Sequence, residues 1–192
     1  MPVYPGDPAP DLHQIAEIDK DGFVDHQIIT AMHAGTHMDA PAHMLNGGKM
    51  LSDYSAEKFF GRGHLLDARS RSVIDEDLLV DSDIQAEDIV LVMTGFYEKF
   101  GQPEYFEKYV EFTESFAKRL LDFGVSAIGM DTPSPDRPPF AVHKLLLAHD
   151  ILIIENLTNL DQLLNHSSFE VVALPAKFQT NAAPCRVVAK IL

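Results

Sequence analysis

The amino-acid sequence predicts a single α/β domain, and three observations carry that prediction. Apolar runs of strand length alternate with stretches of helix length through the second half of the chain: Ile89–Met93, Thr113–Phe123, Val125–Met130, Phe140–Ala148 and Ile151–Glu155. The 192 residues suffice for one domain with its own core. No repeat, low-complexity tract or linker interrupts them.

Taken in order, Met1–Pro10 holds four prolines and one glycine and reads as extended or turn-like, with Tyr4 as its large side chain. Phe23–Met32 is the first predicted strand. Asn46-Gly47-Gly48 is a turn. Ser55–Phe60 reads as a short helix with Ser55 as N-cap and Lys58 in its last turn. His64–Asp67 and Ile89–Met93 are strands, the second closing at Thr94-Gly95. From Thr113 to Phe123 the chain is helical, because Phe112, Phe116, Leu120 and Phe123 recur at helical steps and Gly124 supplies a stop. Val125–Met130 follows as a strand, and Asp131–Pro139, with four prolines, as a rigid loop. Phe140–Ala148 is a helix, Ile151–Glu155 a buried strand, and Phe169–Leu174 and Arg186–Ile191 are later strands.

Composition narrows the function. A formal charge of −14 argues against nucleic acid and against anionic membrane as partners, and is compatible with a cation as cofactor. No apolar run approaches the roughly 20 residues of a membrane helix. The start, Met1-Pro-Val-Tyr-Pro-Gly, has neither the basic nor the apolar region of a signal peptide, and the single cysteine, Cys185, allows no internal disulfide. A reducing cytoplasm is the expected location. Cys185 itself reads as a small packed side chain near a C-terminal strand.

The chemistry is concentrated in His33-Ala-Gly-Thr-His37-Met-Asp39-Ala-Pro-Ala-His43. Imidazole and carboxylate together suit a divalent metal such as zinc, with bonds of about 2.0–2.2 Å, so the ligands of one ion must converge. An extended strand would hold His33 and His37 roughly 13 Å apart along its axis. A helix would bring them together but turn Asp39 away. The segment is therefore read as a structured loop, bent near Gly35 and stiffened at Pro41. Scattered surface polar residues are the plain alternative, and an isolated HxxxH would deserve it; three histidines, an aspartate, a glycine and a proline in fixed steps do not. Further ligands must come from elsewhere in the chain. Glu155 directly follows the apolar run Ile151–Ile154, where a charge is costly unless paired or metal-bound, and ligands of open α/β sheets gather at such strand ends. His143 lies twelve residues earlier, on the helix leading into that strand. Asp131, also at a strand's end, is a lesser candidate. His13, His26, His64, His149 and His166 receive no role, with support of the ligands from behind as the lesser alternative for His26, and Asp136-Arg137 reads as surface, with the lining of a pocket as the lesser alternative.

The HxGTHxDAPxH run, with a later His and a Glu twelve residues beyond it, resembles the metal-dependent cyclase-type hydrolase family that includes bacterial kynurenine formamidase (arylformamidase). Further matches are Pro2-Val-Tyr-Pro-Gly-Asp7, Thr94-Gly95-Phe96, Gly129-Met-Asp-Thr-Pro-Ser134 and Leu174-Pro-Ala-Lys177, so the likeness covers nearly the whole chain. It implies one compact domain of swivelling β/β/α type, with a mixed, barrel-like sheet and flanking helices, assembled as a homodimer or homotetramer with pockets completed across a subunit interface. It also implies two zinc ions, with manganese as the alternative. His33 and His37 would hold the first and His143 the second, Asp39 and Glu155 would bridge both, and His43 would be the acid/base. The implied reaction is hydrolysis of an amide or formamide C–N bond in a small molecule, which for the formamidases lies in tryptophan catabolism. A lactam or lactone hydrolase or cyclase is the alternative within the superfamily, and a non-catalytic metal-binding module the alternative outside it.

Three departures stand out. Tyr4 occupies the position where kynurenine formamidases carry a substrate-packing Trp, and the chain has no Trp. Thr180-Asn-Ala-Ala-Pro-Cys185 stands where the family shows a Gly-rich turn. The family also begins with a short strand ahead of Pro2-Val3, so a trimmed start or a missing edge strand is expected.

Overall fold

The computed structural model describes residues 1–192. Asp11–Ala16 (β1) and Asp25–Ile29 (β2), joined by the single turn Ile18–Asp21 (α1), form an antiparallel hairpin apart from the main sheet. The rest of the chain closes a seven-stranded barrel of His37–Asp39 (β3), Phe60–Asp67 (β4), Ile89–Met93 (β5), Ala127–Met130 (β6), Leu152–Glu155 (β7), Phe169–Pro175 (β8) and Ala182–Ile191 (β9). Around the barrel the order is β3-β7-β6-β5-β4-β8-β9, with β3 pairing to β9 to close it. The run β4-β5-β6-β7 is parallel and the remaining pairings are antiparallel. Helices Glu114–Phe123 (α2) and Ala141–Ala148 (α3) supply the crossovers between β5, β6 and β7 and pack on one another.

Strand periodicity divides the apolar side chains into two cores. Ile89, Leu91 and Met93 of β5, with Leu152 and Ile154 of β7, fill the barrel interior beside Met38, Val171 and Ala183. Val90, Val92, Ile128, Met130, Ile151 and Ile153 face outward and are covered by Phe116, Leu120, Val142 and Leu146 of the two helices. Helix α2 ends at Gly124 as its sequence predicts, and Thr113, read as its first residue, is its N-cap. The Thr113 hydroxyl accepts from the Phe116 amide at 3.1 Å, and Gly124 takes the left-handed conformation at φ 72°.

Several expectations change. The hairpin partner β1 was not predicted: Asp11–Ala16 has no clean alternation of polar and apolar residues, and both hairpin strands are almost wholly exposed. His37–Asp39, read as loop, is a barrel strand, although the backbone does bend at Gly35, with φ 68°. Ser55 begins a 3₁₀ turn over Ala56–Phe59 instead of an α-helix, and its hydroxyl makes no cap. The loop Asp131–Pro139 is largely buried, because it passes between α3 and the Tyr105–Phe112 segment.

Gly63 of β4 lies where a Cβ would meet the Phe169 ring at 2.0 Å and Val171 at 2.8 Å. Gly63→Ala is therefore expected to destabilise by about 2–3 kcal/mol, the order of an overpacked core, read as a lowered urea midpoint with unchanged slope.

Candidate metal centre

Register explains how distant residues meet. In the antiparallel β3–β7 pair His37 stands directly opposite Glu155, so the two share a face. Asp39, two residues on, shares it as well, while Met38 points into the barrel. That face is the outer wall, beneath the first turn of α3, which carries His143. His33 arrives on the loop before β3, and His43 on the 3₁₀ turn Pro41–His43 after it.

His37, Asp39, His143 and Glu155 are all buried. His33 Nδ1 lies 3.0 Å from Asp39 Oδ1, and His37 Nε2 lies 3.5 Å from the same oxygen and 3.3 Å from Glu155 Oε2. His143 Nε2 lies 3.2 Å from Glu155 Oε1 and 3.9 Å from Asp39 Oδ2. Despite this proximity, His37 Nε2, both Asp39 oxygens and Glu155 Oε1 are buried without a properly directed hydrogen bond. Such groups are rare in a folded chain unless something else satisfies them. The donors form two overlapping sets, His33–His37–Asp39 and Asp39–His43–His143, with ligand atoms within 4.8 Å of one another in each. Nitrogen and carboxylate oxygen donors of this kind suit a divalent metal.

The outward nitrogens are fixed as such a site needs. His37 Nδ1 donates to the Gly35 carbonyl at 2.8 Å, and His143 Nδ1 to Asp136 Oδ1 at 2.6 Å. Each neutral ring therefore turns a bare Nε2 toward the carboxylates. Burial works against charging His37, but Asp39, Glu155 and the Gly35 carbonyl outweigh it and raise its pKa to about 9. His143 is likewise raised to about 10, burial being overcome by Asp136, Glu155 and Asp39. Asp39 is depressed, because His37, His33 and His43 outweigh its burial. His43 is lowered, by burial first and by His33 and His143. The pocket attracts positive charge, and protons and a cation compete for it.

A cavity of about 230 Å³ opens onto this cluster, lined among others by Tyr4, His43, Met44, Phe106, Phe140 and Asn156. Tyr4 packs edge-on against Phe106, with centroids 5.8 Å apart. A larger cleft of about 690 Å³ runs beside β9 and the Leu157–His166 segment; it holds none of the clustered imidazoles and carboxylates.

All seven predicted site residues, Tyr4, His33, His37, Asp39, His43, His143 and Glu155, meet at this one place. Asp131 does not join them as a ligand. Its carboxylate accepts from the Thr94 amide and hydroxyl and from the Gly95 amide, which ties the ends of β5 and β6 together. Asp136, read as surface, is buried behind His143, whereas Arg137 pairs with Glu111 and lies over the Tyr109 ring. Sequence reasoning also missed Asn181, whose amide nitrogen lies 3.0 Å from His33 Nε2 and 3.2 Å from His43 Nδ1. The one hint was that this segment departs from the family's Gly-rich turn. His26 is exposed on β2, His149 bonds its own helix at Leu145, and His64 pairs with Asp88. Cys185 is half-buried on β9 with its thiol pushed up to about 12 by burial and Asp39.

The cyclase family profile matches residues 1–137. The chain belongs to the cyclase family. It is 35% identical over 188 residues to an uncharacterized protein of Methanocaldococcus jannaschii, covering 97% of this chain and 91% of that one. It is 30% identical over 194 residues to a kynurenine formamidase of Sphingopyxis alaskensis, at 98% and 91% coverage. Among solved structures, a potential metal-dependent hydrolase with cyclase activity superposes with a TM-score of 0.77 at 27% identity, covering 98% of this chain and 94% of that one. An isatin hydrolase bound to thioisatinate shares the fold, with a TM-score of 0.84 at 23% identity and coverages of 96% and 82%. The protein is thus a hydrolytic enzyme of the cyclase family, with a closed mixed barrel of the cyclase type. No helix is long and apolar enough to cross a membrane.

Zinc or manganese added at about a thousand times its dissociation constant is expected to stabilise the metal-free protein by about 4 kcal/mol, a rise in melting temperature of about 8–16 °C for a domain of this size. Glu155→Gln should lose most of that rise in a thermal melt.

Proposed function

We propose that this enzyme is a metal-dependent amidohydrolase that opens the C–N bond of a small aryl formamide or cyclic amide. The observation that carries the reading is the group of buried, unpartnered nitrogen and oxygen atoms at the meeting of His37, Asp39 and Glu155, with His43 beside it at the cavity. His33 and His37 would hold one ion and His143 a second, with Asp39 and Glu155 as carboxylate ligands of both; zinc is the favoured metal and manganese the alternative. When bound, a divalent pair supplies a Lewis acid and a water whose pKa falls toward about 7. His43 takes up a proton as the carbonyl is attacked and delivers it to the leaving nitrogen. Tyr4 and Phe106 form an aromatic wall for a planar ring. The cavity's 230 Å³ lies below the usual range of about 300–1,000 Å³ for ligand sites, which favours a small substrate.

Formylkynurenine, and with it a place in tryptophan catabolism, is the first candidate by relation to the formamidases. A lactam such as isatin, or a lactone, is the second, supported by the fold shared with isatin hydrolase. Relative kcat/KM on N-formylkynurenine and isatin decides between them. His43→Ala should keep its metal and lose activity by about 10²–10⁴-fold, the worth of general acid–base catalysis. Near-full activity in that variant would remove His43 from the acid/base role.

A homodimer or homotetramer is part of the same reading. Leu12 and Ile28 face one another across the hairpin at 65% and 61% exposure, and a lone two-stranded hairpin is only marginally stable in water. The hairpin is acidic, with Asp11, Glu17, Asp19, Asp21 and Asp25 against Lys20 alone. The cleft beside β9 has Arg186 and His166 in its lining and no Asp or Glu, and we take it as the surface that receives the hairpin of a second copy. Light scattering should give a mass of at least a dimer for the natural chain and a shift toward monomer for Leu12→Asp/Ile28→Asp. Cytoplasmic location remains part of this proposal, resting on the single half-buried cysteine.

A further inference from the structure

Asp136 is a buried carboxylate that no lysine or arginine side chain pairs. It is 6% exposed, and the adjacent Arg137 turns instead to Glu111 and Tyr109. Desolvating such a group is costly unless its oxygens are well used. Here they are divided: Oδ1 accepts from His143 Nδ1 at 2.6 Å and Oδ2 from the Val142 amide at 2.7 Å. The loop backbone is clamped in turn, since the Ser134 hydroxyl and the Tyr109 hydroxyl both donate to the Asp136 carbonyl, at 2.7 and 3.1 Å. One carboxylate thus holds both the first turn of α3 and the imidazole that α3 carries.

We infer that Asp136 is the positioning residue of His143, keeping its proton on Nδ1 so that Nε2 faces Asp39 and Glu155 as a metal ligand must. The inference rests on the metal-centre reading above. The two sides of the centre are built unequally. Behind His37 stands a neutral carbonyl, that of Gly35, whereas behind His143 stands a full negative charge, which makes that ring the more basic donor.

Asparagine is the informative replacement because it keeps the shape and removes one acceptor. With its oxygen toward His143, its NH₂ opposes the Val142 N–H. With its oxygen toward Val142, its NH₂ donates to Nδ1 and drives the ring proton onto Nε2, the nitrogen that must face the metal. Either orientation harms the His143 side alone.

The test is a cobalt(II) titration of the metal-free chain, followed by visible absorption and by elemental analysis. The natural protein should take up cobalt in two steps. Asp136→Asn should keep the step belonging to His33 and His37 and weaken the other by about 10–100-fold. In a His143→Ala background, where that step is already lost, Asp136→Asn should change nothing further. Asp136→Ala, read in the same way, serves where the asparagine variant does not fold. Two unchanged steps in Asp136→Asn, or equal weakening of both, would overturn the inference while leaving the metal centre standing. A natural chain that takes up no cobalt would overturn the metal centre and the inference with it.

Discussion

Two carboxylates buried within reach of the same imidazoles are the constraint on which the rest of this structure depends. Asp39 and Glu155 both lie within 3.5 Å of His37 Nε2 and within 3.9 Å of His143 Nε2, in a place water scarcely reaches. Burying a charge is costly unless it is compensated, so the surrounding structure must bring positive charge or remain under tension. The carboxylates push His37 up to about 9 and His143 up to about 10 against their burial, in keeping with that demand, and a divalent cation meets it without consuming protons.

The fold serves this constraint through parity. A strand turns alternate side chains to opposite faces, and β3 and β7 use one face for Met38, Leu152 and Ile154 in the barrel interior. The other face presents His37, Asp39 and Glu155 to the outside. A one-residue slip of β3 would reverse this and send the charges into the barrel. The register is held from both sides, by β7 and by β9, and from the loops by Asn156 and Thr36. The Thr36 hydroxyl donates to the Asn156 carbonyl, and the Asn156 side chain donates to the Gly35 carbonyl that in turn accepts from His37.

How much was legible in the sequence depended on whether the deciding signal was local. Helix α2 announces itself through Phe112, Phe116, Leu120 and Phe123 and through the Gly124 stop, and β5 through five consecutive apolar residues. That the candidate residues converge was legible because five of the seven carry chemistry costly to place by chance, in one short run or at one strand end. Strand β3 was not, since three residues containing a histidine and an aspartate look like loop, and only pairing with segments more than a hundred residues away makes them a strand. Asp136 hid for a related reason. A proline-rich stretch is ordinarily surface, and its burial comes from Tyr109 and from helix α3, neither of which its own sequence specifies. Strand β2 lies inside the predicted strand Phe23–Met32, but its partner β1 was missed because the hairpin's stability is not local either: both strands are almost wholly exposed in the single chain.

Hydrolysis as proposed for this enzyme requires that the centre hold metal. Elemental analysis of the purified enzyme tests that claim most directly. About two divalent ions per chain, of the bridged kind that metal hydrolases use, is the result predicted. Protein that contains none, and takes up none after incubation with zinc or manganese, would contradict it.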